Sequence, residues 1–186
     1  MACHQGSGRT LNQFALVSYI PEPLASFLDG LRLQLTPGCK PHAHLTLLPP
    51  RPYLGDVTAA VAELQVQADH YPCFDVTLGE IEIFPATNVI YLGIRIGEDA
   101  VRTLHGKFNS GLLEHNCPFP FHPHVTIAQD FNGATVEEVA QQARDIWATW
   151  TGSRTFNVRL LSFVKNVAIG QWDDLASVHL AEPPTK

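Results

Sequence analysis

The apolar positions of residues 14–84 predict the order strand, helix, strand, helix, strand. The predicted strands are short runs of strand-forming residues, some continuously apolar and some alternating. The stretches between them repeat apolar residues every three or four positions. Proline donates no hydrogen bond to a ladder, so the second strand is expected to stop at Pro49 and Pro50. The predicted strands are residues 14–20, 42–48 and 74–84, and the helical faces are Leu24, Phe27, Leu28, Leu31 and Leu35, then Val57, Ala60, Val61, Leu64 and Ala68.

The same order returns in residues 88–165. Thr135 followed three places later by Glu138 predicts a capping box at the start of its last helix. Corresponding elements of the two halves are displaced by roughly 75 to 80 residues, which indicates an internal duplication. The predicted strands are residues 89–96, 122–128 and 156–164, with short strands at 167–171 and 177–180, and the helical faces are Val101, Leu104, Phe108 and Leu112, then Val136, Val139, Ala140, Ala143, Ile146 and Trp147.

This succession predicts an α+β fold in which helices cover the outer faces of largely antiparallel sheets. We expect one bilobal domain over residues 14–186, with repeat halves at about 14–84 and 88–165, after a flexible tail at residues 1–13. No apolar run is long enough for a membrane span or a signal segment, so a cytoplasmic protein without membrane contact is expected. The oligomeric expectation is a monomer.

Charge and cysteine content narrow the possible partners. The formal net charge of −6 is unfavourable for gripping a long nucleic acid by its phosphates, and favours a small nucleotide or an RNA end as substrate. The four cysteines are widely scattered and form no C-x-x-C pair, which argues against a disulfide framework or a cysteine zinc site.

One short motif occurs twice, as His42-Ala43-His44-Leu45-Thr46-Leu47 and as His122-Pro123-His124-Val125-Thr126-Ile127. Side chains alternate faces along a strand, so the aliphatic residues of each copy should point into the core and His44, Thr46, His124 and Thr126 should point the other way. Two imidazoles can divide general acid and general base work near neutral pH, and two hydroxyls can hold a phosphate. The pair therefore predicts a phosphoester site with no metal and no other cofactor. A single copy would be ordinary strand structure, but two matched copies favour function.

These motifs resemble the paired His-x-Thr/Ser-x motifs of the 2H phosphoesterase superfamily, above all its 2′-5′ RNA ligase-like and RNA 2′,3′-cyclic phosphodiesterase branches. The resemblance covers residues 14–181. It implies two antiparallel sheets that line a central cleft, and metal-independent hydrolysis of a cyclic phosphodiester, or reversible RNA ligation. It also implies that His44 and His124 are the acid/base pair and that Thr46 and Thr126 hold the phosphate. In many relatives an arginine follows the second motif, whereas this chain has Ala128, Gln129 and Asp130.

Several other residues are weaker candidates for substrate binding. His42 and His122 precede each motif histidine by two positions and would share its face. Aromatic side chains can stack on a base and cationic ones can meet a phosphate, although a core role and an exposed surface charge are the commoner explanations. The aromatic candidates are Tyr53, Phe121 and Trp172, and the cationic ones are Arg51, Arg95 and Lys165.

Two other functions fit the same residues. The His-x-His pairs His42/His44 and His122/His124 could bind a transition metal, as a metal-binding protein or a metalloenzyme, but then the repeated threonine has no role. A catalytically silent nucleotide-binding module would use the same cleft without turnover.

Overall fold

A computed structural model describes residues 11–40, 42–131, 133–168 and 170–182. Residues 1–10 of the predicted tail lie outside the described residues. The strands are β1 (Gln13–Tyr19), β2 (His44–Pro52), β3 (Phe74–Phe84), β4 (Val89–Ile96), β5 (Val125–Ala128), β6 (Thr155–Val158), β7 (Leu160–Ala168) and β8 (Gln171–His179), and the helices are α1 (Leu24–Leu35), α2 (Val57–Ala68), α3 (Glu98–Phe108) and α4 (Val136–Trp147).

The strands form two four-stranded antiparallel sheets, which confirms the predicted α+β class. The first sheet has the order β2-β1-β7-β8 and the second has the order β5-β4-β3-β6. Both motif strands, β2 and β5, are therefore edge strands, and β2 contacts β5. The two copies of the motif thus lie where the two sheets meet.

The two sequence halves exchange their last strands. β3 belongs to the first half but pairs with β4 and β6 of the second half, and β7 returns to pair with β1. The helices cross over as well, because α1 contacts β5 and α3 contacts β2. Each sheet is consequently completed by strands from both halves.

The first motif strand runs farther than the sequence predicts. β2 begins at His44 and continues through Pro49 and Pro50 to Pro52, whereas residues 42–48 were predicted. An edge strand tolerates proline because its outward N–H groups need no partner in the sheet. The prolines are compatible with β2 for this reason.

Five predicted elements around the second motif and the C-terminus were wrong in extent. The expected strand 156–164 is two strands, β6 and β7, which belong to different sheets and separate at Arg159. The two short strands predicted at the end are instead the end of β7 and the single strand β8. Leu112 was expected on α3 but lies in a separate 3-10 turn, Gly111–Leu113, and β5 starts only at Val125.

The helices pack on one continuous apolar core, which includes Leu28 of α1, Leu64 of α2, Leu104 of α3 and Trp147 of α4. The predicted capping box of α4 is present: Thr135 accepts a hydrogen bond from the Glu138 backbone N–H, and the Glu138 carboxylate accepts one from the Thr135 backbone N–H. No helix in the described part of the chain is both long enough and apolar enough to cross a membrane.

Candidate active site

The motif strands show the predicted alternation of faces. Leu45 and Leu47 are buried, as are Val125 and Ile127, while the histidine and threonine of each motif, which alternate with them, are half-buried. Because the aliphatic side chains fix each strand to the core, the polar face of each motif is held toward the junction of the two sheets.

Both motif histidines make the same local hydrogen bond. Nδ1 of His44 lies 2.6 Å from the carbonyl oxygen of His42, and Nδ1 of His124 lies 2.7 Å from the carbonyl oxygen of His122. A carbonyl oxygen only accepts, so Nδ1 carries the proton in each ring. In the neutral ring Nε2 is then the basic nitrogen, which suits it to take up or give a proton.

The histidine pairs of the two motifs have different aromatic neighbours. His42 stacks on Tyr19, with ring centroids 3.7 Å apart, on the side of the first motif. On the side of the second motif, Phe84 and Tyr91 stack on each other and present their rings edge-on to both His122 and His124. Burial lowers the pKa of His122, and Arg102 adds to the effect. The second pair thus lies against two aromatic rings.

A cavity of about 530 Å³ opens beside the first motif. It is lined by His44 and Thr46 from β2 and also by Thr126 from β5, so residues of both motifs reach one space. His124 is not among its lining residues. The buried side chains of Ala15, Val17 and Val164 form an apolar patch with Tyr19 and Trp172, and all five line the cavity.

The charge of the cavity is opposite to that of the chain. Arg32 and Lys40 line it together with His42 and His44, and none of the described lining residues is an aspartate or a glutamate. A cavity with this donor set attracts anions because cations and N–H or O–H donors converge on it. In a chain of net charge −6, this is a local basic site.

Arg32 links helix α1 to the second motif. It lies near the C-terminus of α1, and its Nη1 donates a 2.8 Å hydrogen bond to the carbonyl oxygen of Thr126. The guanidinium therefore bridges from the first half of the chain to the second motif strand. Sequence reasoning missed Arg32. Its position next to Leu31 and four residues after Leu28, on the apolar stripe of α1, indicates burial of the side chain but not its contact with the second motif.

A similar hydrogen bond links helix α3, in the second half of the chain, to the first motif strand. Nδ1 of His105, on α3, lies 2.7 Å from the carbonyl oxygen of Leu47 in β2, and its ring stacks on Phe121 at 3.7 Å. Burial lowers the pKa of His105, and nearby Arg51 and Arg102 add to this, against the effect of the bond to Leu47. The neutral His105 ring thus supports the first motif strand as Arg32 supports the second.

Among the predicted substrate-binding residues, the structure places only His42 and Trp172 at this cavity. His122 lies instead beside Phe84 and Tyr91. Tyr19, Lys40 and Gln171 line the cavity but were not predicted, because nothing in their local sequence distinguishes them from ordinary strand and loop residues.

Three predicted residues have other contacts and do not line the cavity. Tyr53 packs its ring edge against Phe14 and donates from its hydroxyl to the carbonyl oxygen of Asp56. Phe121 stacks on His105. Lys165 lies over the Phe14 ring. It follows the cavity-lining Val164 in β7, so its side chain points to the opposite face of the strand.

The surroundings of Arg51 differ from both interpretations of the sequence, which were a phosphate contact and an exposed surface charge. It is 1% exposed. Its guanidinium donates to the carbonyl oxygens of Pro49 and Leu113 and to the side chain of Asn109. Arg51 therefore fastens β2 to the chain that follows α3.

The metal-binding alternative requires a cluster of ligand side chains. In the part of the chain that the structure describes, no group of three or more histidine, cysteine, aspartate or glutamate side chains could hold a metal ion. The His-x-His pairs do not converge into such a group.

Known structures share the fold. The chain is 20% identical to E. coli LigT, crystallised with NADP+, with a TM-score of 0.62 over 92% of this chain and 99% of that one. It is 17% identical to TT0787 of Thermus thermophilus, with a TM-score of 0.69 over 91% of this chain and 98% of that one. At this level of identity the likeness establishes the architecture only.

Sequence comparison gives the family. A Geobacillus kaustophilus protein named "Putative phosphoesterase" is 26% identical over 141 residues, which are 71% of this chain and 78% of that protein. A Geobacillus thermodenitrificans protein of the same name is 30% identical over 111 residues, 55% of this chain and 64% of that protein. The family model for the 2′-5′ RNA ligase superfamily matches residues 20–168. With both motifs inside that match, the chain belongs to the 2′-5′ RNA ligase superfamily of 2H phosphoesterases.

Proposed function

We propose that this protein is a metal-independent phosphoesterase that opens a 2′,3′-cyclic phosphate, or a related RNA-end or 2′-5′ phosphodiester, by two-histidine acid/base catalysis. One observation carries the proposal. The two motif histidines have the same Nδ1–carbonyl bond, and both motif threonines line one cationic cavity whose described lining includes no carboxylate.

The proposed reaction uses the four motif residues in two pairs. Nε2 of one histidine takes a proton from water, whose oxygen forms a bond to phosphorus. The bond from phosphorus to one ribose oxygen breaks, and Nε2 of the other histidine gives that oxygen its proton. The hydroxyls of Thr46 and Thr126 donate to the non-bridging oxygens and stabilise the charge that develops there. With a ribose hydroxyl of a second RNA end in the place of water, the same displacement forms the new phosphorus–oxygen bond, releases one oxygen of the cyclic phosphate and joins the two ends.

The size and lining of the cavity favour a small substrate. Its volume of about 530 Å³ falls in the usual range for small-molecule sites. The apolar patch around Trp172, together with the Tyr19–His42 stack, offers a surface for a nucleobase. We therefore propose a single nucleotide or the last nucleotide of an RNA as the bound portion.

Turnover of the four nucleoside 2′,3′-cyclic monophosphates in the presence of a chelator tests the proposal. Hydrolysis with a bell-shaped pH dependence is expected, because one imidazole must be neutral and the other protonated. The product isomer identifies the ribose oxygen that leaves. Turnover that disappears in chelator would favour the metalloenzyme alternative, and binding of a nucleoside 2′-phosphate without any turnover would favour the silent binding module.

A further inference from the structure

Arg32 carries a cation into the cavity with little local compensation. No carboxylate of the described residues lies within ion-pair distance of it. Burial lowers the pKa of its guanidinium, while Cys39 and Asp29 nearby oppose that shift. The Asp29 carboxylate is itself engaged, since it accepts a 2.7 Å hydrogen bond from the Ala43 N–H. Arg32 is half-buried, and a bound anion would stabilise a charge that is partly withdrawn from solvent in this way.

The guanidinium also has donors to spare. It carries five N–H groups, of which Nη1 donates to the Thr126 carbonyl oxygen, and the Cys39 side chain is a second hydrogen-bond partner of the guanidinium. Nε is buried and has no hydrogen-bond partner among the described residues. Since Arg32 lines the same cavity as Thr46 and Thr126, an anion held by the two hydroxyls would lie next to these donors.

Arg32 is also the only arginine among the described residues that line the cavity. The second cation, Lys40, is exposed at the rim, where its Nζ donates to Gln171 at 3.3 Å. Directly after the second motif the chain has Gln129 and Asp130 instead of a cation. Among the described lining residues, helix α1 thus supplies the cation that is held in place by a hydrogen bond to the second motif.

We infer that Arg32 binds the phosphate of the substrate directly, by charge-assisted hydrogen bonds to its non-bridging oxygens, and that α1 thereby supplies the cation of the site. This inference rests on the proposed function, because it assigns the anion in the cavity to the reacting phosphate. Arg32 then has two roles through one guanidinium: it holds the second motif strand at Thr126 and it neutralises the phosphate.

The test compares Arg32→Lys and Arg32→Gln with the wild type and with Arg144→Gln, an exposed arginine of α4 that does not line the cavity. Two quantities are measured: the Kd for inorganic phosphate by calorimetry, and kcat and KM for a nucleoside 2′,3′-cyclic monophosphate. We expect Arg32→Gln to weaken phosphate binding about 10- to 100-fold, the usual loss for a charge-assisted contact, and Arg144→Gln to behave as the wild type.

The Arg32→Lys variant distinguishes a phosphate contact from a purely structural role of Arg32, here called a brace, in which it only holds the Thr126 carbonyl oxygen. Both lysine and glutamine carry a donor for the Thr126 carbonyl oxygen, but only lysine carries a charge. A direct contact predicts the affinity order wild type, Lys, Gln, whereas a brace predicts that Lys and Gln bind phosphate equally, which would overturn the inference. Should Arg32→Gln not fold, as judged by its melting temperature, Arg32→Lys must still bind phosphate more weakly than the wild type.

The two measurements also separate this inference from the proposed function. If the wild type turns over the cyclic substrate and Arg32→Gln leaves both KM and the phosphate Kd within about twofold, the inference fails and the proposed function stands. If the wild type binds phosphate in an Arg32-dependent way but opens no cyclic phosphate, the proposed function fails and the Arg32 site stands.

Discussion

At the residue scale, the most informative feature is the proton on Nδ1 of His44 and of His124. The carbonyl oxygens of His42 and His122 fix it there, at 2.6 and 2.7 Å. Each bond spans only two residues, so it comes from the local backbone of the motif and not from a distant partner. The local backbone of the motif therefore orients His44 and His124 in the same way in both halves.

Replacing each motif histidine by asparagine tests this assignment. The amide nitrogen of asparagine can keep the Nδ1-type donation to the carbonyl oxygen, while Nε2 is removed. His44→Asn and His124→Asn should each lower the turnover of a 2′,3′-cyclic phosphate by about two to four orders of magnitude, with little change in melting temperature. His70→Asn, at an exposed position after α2, is the control. Full activity in His44→Asn would contradict the proposed mechanism.

The sequence was sufficient for the motif residues but not for Arg32. The motif alternation predicts which side chains leave the core, because a strand has a fixed period of two. Arg32 reaches the second motif only because α1 packs on β5, and no local pattern encodes that contact. The same limit applies to Arg51, whose partners Asn109 and Leu113 lie 58 and 62 residues away in the chain.

At the element scale, each motif strand depends on a helix that comes before the other motif. α1 donates through Arg32 to β5, and α3 donates through His105 to β2. The sequence predicted the helices and their apolar faces, but it did not predict this crossing. It also missed the division between β6 and β7, since Phe156–Val164 reads as one strand and the change of sheet at Arg159 is marked by neither glycine nor proline.

The contact of His105, on α3, with the Leu47 carbonyl oxygen predicts a pH dependence of stability. The pKa of His105 in the folded protein is lowered, so below about pH 6.5 the unfolded chain binds this proton more readily than the folded one. The free energy of unfolding should therefore fall as the pH falls through this range. Because His105→Asn keeps a donor for the Leu47 carbonyl oxygen but does not titrate, it should lose less stability on acidification than the wild type.

Urea unfolding at about pH 7.5 and about pH 5.5 measures this difference for both proteins. The comparison concerns the change between the two pH values, so a constant cost of the substitution cancels. Burial also lowers the pKa values of His115 and His122, and their contribution remains in both proteins. An equal loss of stability in wild type and variant would show that His105 does not carry the effect.

At the scale of the whole molecule, the repeat in the sequence and the sheets in space divide the chain differently. The sequence halves are residues 14–84 and 88–165, but each sheet takes strands from both. Sequence periodicity cannot reveal this, because hydrophobic alternation records which face of a strand is buried and not which strand lies beside it. In the resulting arrangement both motif strands are edge strands, and β2 contacts β5.

The exchange also predicts that neither half folds alone. A fragment of residues 1–87 would contain β3 without its neighbours β4 and β6, and the first sheet would lack β7 and β8. Its apolar core would be open, so we expect no cooperative thermal transition in circular dichroism and no phosphate binding. Co-expression with residues 88–186 should restore both, because the missing strands and α4 are then supplied. A cooperative melt of the isolated first fragment would instead mean that β1, β2 and α1 form a stable unit without β7, and the two sheets would then be independent lobes.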